Sequence, residues 1–102
     1  MACNSCSSID IRAETEAMSV TIVYGDRCGQ LGEEAYVKNN FADRNVLATI
    51  KITRGGAAGP GVTRTKKRVG AGQRVYVGCT TSSGSGSLTT YAFSVETYEH
   101  AP

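Results

Sequence analysis

The sequence contains no tryptophan, a single histidine and two prolines among 102 residues. Without Trp, the buried indole that packs against the inter-sheet disulfide of antibody domains is excluded. One histidine, His100, close to the C-terminus, cannot build a two-histidine metal site. Without a positioned acid it cannot build a catalytic triad either. The chain opens with neither a basic segment nor an apolar run, so no secretory signal is read there. No stretch approaches the ~18 apolar residues of a membrane span. The longest apolar runs, Val20 to Tyr24 and Val46 to Ile52, are strand-sized. The expectation is a protein made in the cytoplasm without a signal peptide, with no membrane partner, that meets oxidant only if deposited on an outer surface.

Other absences remove further classes. The 12 glycines show no three-residue period, which excludes a collagen helix. The loop from Gly55 to Gly61 lacks the Gly-Lys-Ser/Thr ending of a phosphate cradle, and no helix pattern follows it. Adjacent carboxylates occur as Glu33 and Glu34, and on a strand they face opposite sides. No catalytic constellation is assembled, so the expectation is a non-enzyme without cofactors or catalytic residues. A net charge of +2 excludes a uniformly basic nucleic-acid binder.

What is present is a period of two. Met18, Val20, Ile22 and Tyr24 share one face, and Ala35, Val37, Asn39 and Phe41 line another. Val46, Ala48, Ile50 and Ile52 alternate with Leu47, Thr49, Lys51 and Thr53. Val62 to Val69 is polar but rich in β-branched residues, Val75, Val77 and Cys79 share a face, and Tyr91, Phe93 and Val95 share another. A short run, Ile9 to Ala13, adds a strand. Arg12 to Met18 is the one helix candidate, too short to compete with the strand signals around it. Glycine-rich loops are expected at 25–32, 55–61 and 70–73, and a flexible Ser/Gly loop at Ser82 to Ser87. Seven short strands at roughly 8–12-residue spacing predict a single all-β domain. Its form would be an antiparallel β-sandwich, Ig-like or jelly-roll-like, over residues 9–100, preceded by an arm at 1–8.

Charge is uneven along the chain. Residues 1–43 carry three basic and seven acidic side chains, a balance of −4; residues 44–95 carry eight basic and no acidic ones; Glu96 and Glu99 follow. The densest basic run holds Lys66, Lys67 and Arg68 just after Arg64. These four are the candidate anion-binding residues. In a strand Lys66 and Arg68 face one side and Lys67 the other, as expected of an edge strand guarded by charge. Only Tyr76 lies near them as a stacking ring, so a nucleic-acid partner is not expected.

The four cysteines are Cys3, Cys6, Cys28 and Cys79. Cys3 and Cys6 form a Cys-x-x-Cys without a second such pair, so a zinc site would have to be a composite of all four. A redox motif would need a strand before it, and none precedes Cys3. Cys79 is either a buried free thiol or bridged to Cys28, which would close a long loop and stabilise the domain by ~4 kcal/mol. An extended arm of eight residues reaches roughly 25 Å, far enough to touch another molecule. All four cysteines are therefore candidates for intersubunit disulfides, with Cys3 and Cys6 donating and Cys28 or Cys79 accepting.

Cys3 and Cys6 preceding a small sheet in a Ser/Thr/Gly-rich chain resemble the plan of bacterial spore-appendage fibre subunits. That resemblance implies an arm docked on, and disulfide-bonded to, the next subunit. The reading is a structural, self-associating β-sandwich whose partner is itself, as oligomer or filament. Edge strands, expected at Val62 to Val69 and Leu88 to Tyr98, would pair between subunits. Its first rival is a monomeric module binding nucleic acid or another polyanion through the basic segment 51–74. Its second is a small zinc-stabilised domain.

Overall fold

The computed structural model describes residues 19–29, 31–84 and 87–102. The arm, the strand expected at Ile9 to Ala13 and the helix candidate all lie outside the described residues. Seven strands run through the rest: β1 (Val20–Cys28), β2 (Gly32–Asn39), β3 (Asn45–Gly56), β4 (Gly61–Val69), β5 (Arg74–Cys79), β6 (Thr81–Gly84) and β7 (Ser87–Ala101). They form a three-stranded sheet, β1-β2-β5, and a four-stranded sheet, β4-β3-β7-β6. Every pairing is antiparallel. The architecture is the β-sandwich that the alternation predicts.

Three details depart from the sequence reading. The Ser/Gly segment is not wholly loop, because Thr81–Gly84 pairs with Thr90–Ser87 as β6. The loop expected at 25–32 shrinks, because β1 continues to Cys28 through a register shift between Tyr24 and Arg27; a bulge absorbs the glycine without ending the ladder. β7 is an edge over only part of the expected stretch: β3 pairs with it from Thr89 to Ala101, β6 covers the other side from Ser87 to Thr90, and beyond Tyr91 no described strand pairs with that side. In immunoglobulin sandwiches the sixth strand lies beside the third. Here the seventh does.

The reason is the corner at Thr80, the single residue between β5 and β6. Its amide donates to the Glu33 carbonyl (3.0 Å) of one sheet, and its carbonyl accepts from the Tyr91 amide (2.8 Å) of the other. Its Oγ1 accepts from the Glu33 amide as well, at 2.9 Å. One extended chain thus leaves the first sheet and enters the second without losing backbone hydrogen bonds, as strands do at sandwich corners.

The strands are aligned, so the molecule has two distinct ends. Val20, Asn39, Asn45, Val69, Arg74 and Ala101 gather at one, and Cys28, Gly32, Gly56, Gly61, Cys79 and Ser87 at the other. The fully buried apolar side chains are Val20, Ala35, Val37, Val46, Ala48, Ile50 and Val69, weighted toward the first end. Among them sits Asn39, with no exposed surface. Its Nδ2 donates to the carbonyls of Arg44 (2.7 Å) and Val69 (3.1 Å), and its Oδ1 accepts from the Phe41 amide at 2.9 Å. Each polar capacity of that amide is met inside the core, which makes burial tolerable. The bonds tie the β2–β3 loop to the end of β4. Phe41 is held so that its ring packs on Tyr98 and His100, at centroid distances of 6.0 and 5.5 Å.

Truncating Asn39 would strand two carbonyls and one amide in an apolar surrounding. Asn39→Ala is expected to destabilise the fold by about 2–4 kcal/mol, read as a lowered urea midpoint at unchanged m-value. A loss below about 0.5 kcal/mol, the range of surface substitutions, would refute the role assigned to it.

Candidate functional site

At the end opposite Asn39, the sulfurs of Cys28 and Cys79 lie at disulfide distance, with their Cα atoms 6.1 Å apart. This decides between the two readings of Cys79: it is bridged, not a free thiol. β2 runs between the two strands that carry the cysteines, and Cys28 sits opposite Gly32. A Cβ at Gly32 would fall 2.8 Å from the Cys79 sulfur and 2.8 Å from the Cys28 carbonyl. Glycine is what lets the bridge straddle a strand. A bonded pair no longer offers two thiolates to a metal, so the composite four-cysteine zinc site loses half its ligands. No group of three potential metal ligands occurs among the described residues.

Beside the bridge a wide, open gap between side chains reaches in from the surface. The gap is lined by Ile52, Thr63, Val77, Gly78, Cys79, Tyr91 and Phe93, together with Thr81 and Ser82. Its floor is apolar, and Ile52, Val77 and Phe93 are only partly buried. The cause is legible in the β3–β4 register. At the closed end Val46 pairs with Val69, but at the open end Ile52 pairs with Thr63. Gly78 adds no side chain of its own; a Cβ there would meet the Phe93 ring at 2.9 Å. Small and polar partners leave Ile52, Val77 and Phe93 only partly covered. Other exposed apolar side chains belong to the same half: Leu31 in the β1–β2 turn, Val62 opening β4 and Leu88 opening β7. Sequence periodicity placed Ile52, Val77 and Phe93 in the core. It could not show that their cover is missing, because that depends on which residues face them.

The basic residues divide between the two faces of β4. β4 is an edge strand. Register puts Arg64, Lys66 and Arg68 on the outer face with Lys51, and Lys67 on the inner face opposite Ala48. Arg64 reaches across β3 to Glu96, Nε to Oε1 at 2.8 Å and Nη2 to Oε2 at 2.9 Å. The guanidinium of Arg68 donates to the carbonyl of Pro102. Two of the four candidate anion ligands are thus engaged within the chain. An inward lysine on an edge strand also discourages another strand from pairing there. Cys3 and Cys6 lie outside the described residues.

The hydrogen bonds from Arg64 hold the Glu96 carboxyl below the ordinary carboxylate value, helped by the charges of Arg64 and Lys51 and opposed by partial desolvation. A depressed folded pKa means the pair favours the folded state above the unfolded pKa, and that contribution fades as pH falls through the lowered value. Side-chain carbon NMR should place the Glu96 midpoint below that of an unpaired glutamate, and Arg64→Ala should raise it. A midpoint unmoved by that substitution would show that the pair does not persist in solution.

Comparison of the chain with protein-family models, with curated proteins and with solved structures finds no match in any of the three.

Proposed function

We propose that the protein is a non-enzymatic, self-associating structural unit that joins head to tail. The N-terminal segment of one copy would cover the apolar gap of the next. The carrying observation is polarity. Residues 1–18 join the fold at Val20, where the Asn40 amide donates to the Ser19 carbonyl at 2.7 Å. The uncovered side chains Ile52, Val77 and Phe93 belong to the opposite end. An interface between unlike ends of identical chains is heterologous, and repeating it gives a ring or an open filament.

The segment has a suitable pattern. Ile9, Ile11 and Ala13 alternate with Asp10 and Arg12, so an extended strand would turn three apolar side chains into the gap and two charges to water. Eighteen residues reach roughly 60 Å when extended, about twice the roughly 30 Å length of a nine-residue strand. Covering Ile52, Val77 and Phe93 would recover part of the roughly 1.5–3 kcal/mol that burying each such side chain contributes. Docking there does not require the β4 edge, whose charges oppose pairing.

The cysteines add a covalent step. Cys79 lines the gap and is already bonded to Cys28, so an arm thiol reaches it by exchange. The thiolate of Cys3 or Cys6 attacks the Cys79 sulfur, a new interchain S–S bond forms, and Cys28 leaves as a thiolate that takes up a proton. One disulfide is consumed and one is made, with no external oxidant. The polyanion-binding rival is less favoured, because Arg64 and Arg68 are engaged and Lys67 faces inward.

Size-exclusion chromatography with light scattering, beside gels run with and without reductant, tests the reading. The full chain should assemble in a concentration-dependent way, with a ladder that collapses to monomer on reduction. Ile11→Lys should abolish assembly. Cys3→Ser with Cys6→Ser should remove the ladder but leave the non-covalent assembly. A full chain that stays monomeric at about 100 μM, the low end of the weak protein affinities, would overturn it.

A further inference from the structure

The outer face of the β1-β2-β5 sheet carries an arrangement that self-association does not use. Register sets Val23, Tyr36 and Tyr76 in one row across the three strands, and Thr21, Lys38 and Arg74 in the next. The Tyr36 and Tyr76 rings meet edge to face with centroids 5.7 Å apart. The Arg74 guanidinium lies over the Tyr36 ring, 4.1 Å from its centroid. Tyr76 is 49% exposed. Half of the Tyr76 ring surface, beside a flat cation, is thus left to solvent.

We infer that this face is a stacking platform for single-stranded nucleic acid, with bases on the exposed Tyr76 ring and on the outer plane of the Arg74 guanidinium that covers Tyr36, and phosphates drawn by the charges of Lys38 and Arg74. Two residues along a strand span roughly 6.8 Å, comparable with the offset between a base and its own phosphate. A nucleotide laid across the face can therefore put its ring on a tyrosine while its phosphate meets a cation in the neighbouring row. Bases stack on tyrosine and on arginine planes alike, whatever their sequence.

Charge gives the platform a direction. The cationic row lies toward the Asn39 end and holds no acid. On the other side the Tyr36 hydroxyl donates to Glu34 Oε1 at 2.9 Å. That hydrogen bond leads the causes that raise the phenol's pKa, and Glu34 and Asp26 add charge in the same sense. Acids border one edge and cations the other, so a phosphate backbone is excluded from the first and held by the second. Lys38 Nζ donates to the Gly72 carbonyl at 2.8 Å, so, like the arginines of β4, it meets a phosphate only through its remaining donors. The platform differs from the basic segment on β4, where stacking rings are wanting. The signal was hidden because Tyr36 and Tyr76 are 40 residues apart in sequence and become neighbours only through the β2–β5 register.

Fluorescence anisotropy with a labelled twelve-nucleotide oligo(dT) and the full chain tests the inference. Binding at about 50 mM salt should weaken steeply as salt rises. Tyr76→Ala should weaken it about tenfold, and Arg74→Ala should weaken it and lower the salt slope by about one. Lys66→Ala, on the opposite sheet, should change nothing. All three side chains are exposed, and circular dichroism checks that each variant folds. Absence of binding at low salt would overturn the inference. So would binding indifferent to Tyr76, or equal retention on heparin with the same indifference, since either describes a general polyanion surface. Monomeric behaviour in the assembly experiment would leave this result standing, because the platform lies within one copy.

Discussion

One buried amide sets the character of this sandwich. Asn39 sits in the apolar core and satisfies its own hydrogen bonds with loops that would otherwise be free to move. Around it, Asn45 and a backbone bond extend the same work. Asn45 Oδ1 accepts from the Ala71 amide at 3.1 Å, and the Gly72 amide donates to the Phe41 carbonyl at 2.9 Å. The β2–β3 and β4–β5 loops are thereby fastened to each other and to the core at one end of the molecule. A polar residue in that position specifies which loops close the end, which aliphatic packing alone would not.

The other end is held by different means. There a disulfide crosses β2, and Thr80 bends one chain from sheet to sheet. Neither device fills volume. The covalent bridge restrains the backbone, the corner satisfies hydrogen bonds, and the aliphatic side chains between them keep part of their surface in water. Compactness at one end and incompleteness at the other follow from a single sequence property: valines face valines near Asn39, whereas threonines and glycines face isoleucine and phenylalanine near Cys79.

Much of this was legible in the residues. The alternation of Val46, Ala48, Ile50 and Ile52 gave the central strand, and the bulky–polar period elsewhere gave the all-β class. The opposed parities of Lys66 and Lys67 gave a basic run split between two faces. Three things were not legible, and each depends on pairing across long sequence distances. Thr81–Gly84 forms a strand only because β7 offers it a partner. Gly25 reads as a loop residue but is absorbed as a bulge, since the ladder with β2 resumes beyond it. The Tyr36–Arg74 contact joins residues that no local pattern connects. Local propensity reports what a segment can do, and register decides what it meets.

The bridge between Cys28 and Cys79 has a mechanical consequence. It encloses a separation of 51 residues, and β2, β3 and β4 lie wholly within that span. When a chain is pulled from its two termini, only the residues outside the loop can be drawn out. The enclosed length would otherwise add roughly 170 Å of slack, but the closed bridge contributes little more than the 6.1 Å between its Cα atoms. Tension can peel β1 as far as Cys28, and β7 and β6 back toward Cys79, but the backbone of β2, β3 and β4 cannot be drawn out past that covalent stop until it is reduced.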